Sequence, residues 1–308
     1  MGTLLLAAVV AVLTPTDVVL CETSPPSVVR RVALSSPGLA IFAAPDGRLL
    51  VPLAGEDTTA VVAAGGPAGH LPGRLFPLFF DEVDRLHTVM PGAVVTLSYP
   101  ERLLLFRSEL PGGLAPWRAA TSRDGRLVIV LASDRRSLAV VTAKGEVAPV
   151  LVGLPLAASA VAVAPDASWV LVGLEQGELL LVDAAGSVAA ARLGIGAAPA
   201  AMAATADGRH ALVATGWGRG GAVVSVRVKP GSRTPLKEVA RAPLSGSGLA
   251  VAEAGGDVVA VTSSGLTVLA VQGLALRGRL AIEGAQDVAA LPARVSSLVP
   301  PWGDRDAP

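Results

Sequence analysis

The segment "GWGRGG", residues 216–221, has the glycine spacing of a dinucleotide-binding loop. That chemistry needs a strand before the loop and a helix N-terminus after it, so that backbone N–H groups and the helix dipole hold pyrophosphate. "AVVSVRV" follows instead, and it reads as a strand. The segment is therefore expected to be a flexible inter-strand loop that displays Trp217 and Arg219, with no cofactor. The three histidines, His70, His87 and His210, show no H-x-H or H-E-x-x-H spacing, so no metal site is assigned. His210 follows an Asp-Gly-Arg turn as Leu49 and Leu127 do, which gives it a strand-end role. No G-x-S-x-G elbow accompanies the serines. Cys21 sits in an apolar run, where a buried inert thiol is expected. No catalytic constellation is legible, and the chain is expected not to be an enzyme.

What remains is loop chemistry. Glu56 and Asp57, the run Asp134-Arg135-Arg136, Glu175 with Glu178, and Trp217 with Arg219 fall between apolar runs. Mixed charge with a Trp and several Arg has the character of a protein-contact surface, where aromatic and Arg anchors are enriched. These are the candidate partner-binding residues, provided that the elements carrying them bring them to one face.

Composition limits those elements. Of 308 residues, 52% are hydrophobic and only 16% charged. A mean hydropathy of +0.59 would suit a membrane protein. Gly, Pro, Asp or Arg nevertheless interrupts every run before it reaches the ~18 apolar residues of a spanning helix. Many short Val/Ala/Leu runs fit strands buried on both faces. The 25 basic and 25 acidic residues balance without a charged block. A nucleic-acid partner, which demands a concentrated positive face, is not expected. A single cysteine excludes an intrachain disulfide or a multi-thiolate zinc site, and the absence of asparagine excludes N-glycosylation.

The runs repeat at about forty residues, the spacing of four-stranded propeller blades. "SAVAVAPDASWVLVGLEQGELLLVDAAGSVAAARLG", residues 159–194, reads as strand, Pro-Asp turn, strand, polar loop, strand, Ala-Gly turn, strand. The same grammar starts at Gly38, Leu114, Ala200 and Gly248, with a more degenerate copy from Leu75. After these six units, "AQDVAALP" (285–292) matches a first strand alone. "TDVVLCETSPPSVVRRV" (16–32) aligns with "GELLLVDAAGSVAAARL" (177–193), and "TLLLAAVVAVL" lies where "SWVLVGL" lies. The N-terminus thus supplies strands two to four of a seventh blade and the C-terminus its first, locking the ring and leaving few exposed edges.

The turns at Pro45–Arg48, Arg123–Arg126, Pro165-Asp166 and Ala206–Arg209 carry a resemblance to the WD40/YVTN-like β-propeller superfamily over nearly the whole chain. The Trp-Asp dipeptide of WD40 blades and the Val-Thr-Asn signature are both absent. The expected fold is all-β, a seven-bladed propeller closed by N-terminal strands plus a C-terminal strand. Residues 1–294 would form one domain, and 295–308 a flexible tail. In this fold the loops between second and third strands gather on one face. The intact ring, the balanced charge and the missing catalytic constellation lead to the expected function, a non-catalytic interaction scaffold or subunit of a bacterial assembly, with other protein subunits as partners. The resemblance implies an alternative, a propeller lactonase or hydrolase, whose calcium-dependent members use Asn, Asp and Glu ligands in the central channel; this chain has no asparagine.

The first 21 residues admit two readings. No Lys or Arg precedes Arg30, no Ala-x-Ala site follows the apolar run, and Leu20 is too bulky before Cys21 for a lipoprotein box. They are therefore expected to be strands of a cytoplasmic protein without membrane insertion. The alternative is a cleaved signal peptide, which would leave six blades and an exported cell-envelope propeller.

Overall fold

The structure, a computed structural model, describes residues 8–63, 66–73, 78–81, 83–142, 149–182, 188–216 and 221–291. They form seven four-stranded antiparallel sheets arranged as the blades of a propeller. Among the described residues there is no α-helix, only a 3-10 turn at Pro111–Gly113. Six sheets follow one another along the chain: blade 1 (42–72), blade 2 (78–109), blade 3 (116–153), blade 4 (158–194), blade 5 (199–243) and blade 6 (248–281). The seventh combines Val9–Leu13, Asp17–Thr23 and Pro26–Ala33 with Asp287–Ala290. In it Val10 lies opposite Ala290 and Leu13 opposite Asp287. Trp217, Arg219 and the segment 295–308 lie outside the described residues.

Burial explains the hydropathy. Each residue of Leu127–Ala132 and of Val170–Leu174 is buried, because central strands of a blade are covered by neighbouring blades on both faces. The outermost strands meet water and alternate instead, as in Leu236–Pro243 and Leu276–Ala281. Among the described residues there is no common centre. Seven apolar clusters each fill the seam between two neighbouring blades. In the seam of blades 3 and 4, Ile129, Leu131 and Leu138 meet Val170, Val172 and Leu180.

The recurring turns between first and second strands are built alike. Asp46, Asp124, Asp166 and Asp207 each accept a backbone N–H two residues on, from Arg48, Arg126, Ser168 and Arg209. The residue after each Asp stands in the left-handed region: Gly47 at φ 82°, Gly125 at 68° and Gly208 at 67°, but Ala167 at 60°. Self-capping by Asp explains why this residue type recurs at these positions.

Candidate functional site

The first strand of every blade lines the central channel, so its residues decide what the channel offers. Blades 3 to 6 share an irregularity there. Register with the second strand shifts between Pro116 and Arg118, Ala158 and Ala160, Pro199 and Ala201, and Gly248 and Ala250. Each shift is a β-bulge, which frees one residue from the ladder and re-aims it. The freed residues are Trp117, Ser159, Ala200 and Leu249, and all four line one cavity of about 570 Å³ at the channel mouth.

Arg118, Arg135 and Glu175 complete the polar part of its lining. Two guanidiniums approach the indole of Trp117: that of Arg118 at 4.9 Å from the ring centroid and that of Arg135 at 5.4 Å. Arg135 reaches across the seam of blades 3 and 4 to Glu175, with Nη1 2.6 Å from Oε1. Arg118 Nη1 donates to the Ala200 carbonyl at 2.9 Å. Burial holds the Arg118 guanidinium below its ordinary pKa, and the negative charge of Asp287 opposes that shift.

Asp287 lies deeper in a channel otherwise lined mainly by Ala, Val, Leu and Met. Its Oδ2 accepts the Ile41 N–H at 3.1 Å and its Oδ1 the Val288 N–H at 2.8 Å. The channel leaves it half-buried in surface, while protein surrounds the carboxyl. Burial pushes its pKa up to about 6, against the pull of those two N–H groups and of Arg118.

The structure joins some sequence candidates and separates others. Arg135 and Glu175 meet at the mouth. Asp134 serves its own loop, accepting the Arg136 N–H at 2.8 Å and Ser137 Oγ at 2.9 Å. Arg136 is exposed beside it. Glu56 likewise accepts Ser36 Oγ and Thr58 Oγ1, and these hydrogen bonds hold its pKa below the ordinary value. Asp57 is exposed in the same loop of blade 1. Glu178 turns to the outer strand of its own blade, 3.7 Å from Arg192.

Two groups were missed. Trp117 and Arg118 stand where the first strands of blades 4 and 5 carry Ser159-Ala160 and Ala200-Ala201. A Trp-Arg pair in an otherwise small, apolar strand was the available signal. The second is His87, whose Nε2 lies 3.1 Å from Asp81 Oδ2 and whose Nδ1 lies 3.0 Å from Thr96 Oγ1. The ring stacks on Phe79 at 5.3 Å between centroids. A hydroxyl, an imidazole and a carboxylate in line have the order of a nucleophilic triad. All three are buried, however, and Asp81 also takes the Arg85 guanidinium at 2.6 Å. The network fills the interior of the most irregular blade. Burial lowers the His87 pKa against the pull of Asp81, so the imidazole is held neutral. Among the described residues, no three His, Cys, Asp or Glu side chains gather as metal ligands.

No known family's sequence pattern matches the chain, and no curated protein matches it. Solved structures do. Hydrazine synthase of Kuenenia stuttgartiensis is similar at 16% identity and a TM-score of 0.67, covering 84% of this chain and 90% of its own. Apo AztD of Citrobacter koseri is similar at 12% and 0.67, with 92% and 98% covered. The Cps50 (Swd1) β-propeller domain of Myceliophteria thermophila is similar at 15% and 0.62, with 84% and 95% covered. At such identities the shared property is architecture: this chain is a seven-bladed β-propeller.

Proposed function

We propose that the chain is a non-catalytic β-propeller that acts as a protein-binding subunit or scaffold of a bacterial assembly in the cytoplasm. One observation carries this reading. Leu104 and Leu105 on the outermost strand of blade 2 are 62% and 52% exposed, and Leu151 on the outermost strand of blade 3 is 52% exposed. An outermost strand presents a row of backbone groups without a neighbouring strand. Leucines standing on it invite aggregation unless a partner covers them. Balanced charge fits a protein partner better than a polyanion. No helix among the described residues is long and apolar enough to cross a membrane.

Cross-linking with mass spectrometry in the native host tests the reading. The wild-type chain is expected to give reproducible cross-links to one protein around the rim of blades 2 and 3. The double variant Leu104→Lys, Leu105→Glu should lose them while keeping its circular dichroism spectrum. Unchanged cross-links in that variant would count against the rim. Calcium-dependent hydrolysis of lactones by the purified chain would overturn the non-catalytic assignment.

A further inference from the structure

We propose that the cavity at the channel mouth binds a small organic carboxylate, with the anionic group on Arg118 and the apolar body against Trp117, Pro199 and Leu249. This site is independent of the rim surface, and three observations carry it.

The first is an unmatched cation. Arg118 is half-buried, and among the described residues its guanidinium has one hydrogen-bond acceptor, the Ala200 carbonyl, and no carboxylate at ion-pair distance. A guanidinium offers five N–H donors in a planar fork. Holding it partly out of water with one acceptor is costly, and a bidentate carboxylate would match the remaining fork. Asp287 does not supply that match. Its two oxygens accept the Ile41 and Val288 N–H groups deeper in the channel.

The second observation is the contrast with Arg135, which lines the same cavity and is already neutralised by Glu175 at 2.6 Å. Among the described residues, the mouth therefore has one guanidinium without a carboxylate at ion-pair distance, which suits a monoanion. A phosphate dianion would call for further donors. Thirdly, the bulges of blades 3, 5 and 6 turn Trp117, Ala200 and Leu249 to the cavity, and Pro199 stands beside them. The volume of about 570 Å³ fits a molecule of drug size or smaller.

The test uses the full chain and benzoate as probe, with benzamide and inorganic phosphate as controls at matched ionic strength. Titration calorimetry and saturation-transfer NMR read the binding. Benzoate should bind with a Kd of about 1 mM or tighter, and both controls at least ~10-fold more weakly. Arg118→Gln should weaken benzoate by about 10-fold or more, as expected for a charge-assisted pair. Removing Arg118 could also disturb the channel, so a second variant is needed. Leu249→Glu places a competing carboxylate on the cavity wall at a residue that is 38% exposed, and it should lose benzoate while keeping its melting temperature. Arg136→Gln, outside the cavity lining, should bind as the wild type does. Equal affinity for benzamide and benzoate would overturn the proposal. So would full benzoate affinity in folded Leu249→Glu, or no binding of benzoate to the wild type.

Discussion

At the scale of single residues, the channel carboxyl gives the clearest expectation. Asp287 has a folded-state pKa of about 6 against an ordinary 3.8, so folding favours its protonated form. Its contribution to stability is complete below pH ~4 and is lost as pH rises through about 6, a penalty of about 1–3 kcal/mol at neutral pH. Asp287→Asn retains an acceptor for one of the two N–H groups, at a cost that does not vary with pH, and cannot ionise. Urea titrations should show the variant gaining stability on the wild type between pH 4 and 8. A constant difference across that range would mean that Asp287 is not the titrating group. Cys21 offers a second check. Buried at 0% exposure with its thiol pushed up to about 12, it should be inert to Ellman's reagent at pH 8 and react once the chain is unfolded. The burial of this thiol was legible from its apolar run. The meeting of His87, Asp81 and Thr96 was not, because no chemical motif shares their spacing. Arg118 stayed hidden for a related reason: only closure of the ring makes the first strand of a blade the wall of a channel.

At the scale of elements, the turns between first and second strands carried most of the legible fold. Asp followed by a small residue recurs because the carboxylate caps its own turn, and the repeat could be counted from it. The blade with the degenerate repeat shows the limit. Its first strand shrinks to Leu78–Phe80, and a buried polar network replaces part of the usual aliphatic filling. The same turns yield a pair of opposed expectations. A Cβ on Gly125 would stand 2.7 Å from His87 Nε2 and 2.9 Å from Asp81 Cβ, at a backbone angle that L-residues avoid. Gly125→Ala should therefore cost about 2–3 kcal/mol. Ala167 already occupies the equivalent position at φ 60°. Ala167→Gly should stabilise by about 0.5–1 kcal/mol, the relief of left-handed strain less the added chain entropy. Thermal unfolding of the two variants beside the wild type decides both, and a shift of the same sign in each would refute the account.

At the scale of the whole molecule, the near-continuous hydropathy and the fold have one explanation. Each blade buries both faces against its neighbours, so even central strands need few polar residues. Sequence periodicity reveals how many such units there are, but not how evenly they adhere. Among the described residues, the seam of blades 3 and 4 holds fifteen buried apolar residues, whereas that of blades 1 and 2 holds three, Leu50, Val61 and Leu86, with Phe42, Leu71, Phe80, Leu97 and Tyr99 only partly buried against them. At about 1.5–3 kcal/mol for each large side chain buried, that difference outweighs every single substitution considered above. A closed ring with one thin joint behaves like a split washer. Its lowest excited state is expected to be a fissure at that joint, with the remaining seams intact. Under native conditions, the amides of Leu50 and Val61 should exchange with deuterium orders of magnitude faster than those of Leu171 and Val172, through an opening that does not require global unfolding. Uniform protection around the ring would show that the blades part together. If exchange is polarised as expected, blades 1 and 2 mark the place where this circle breathes.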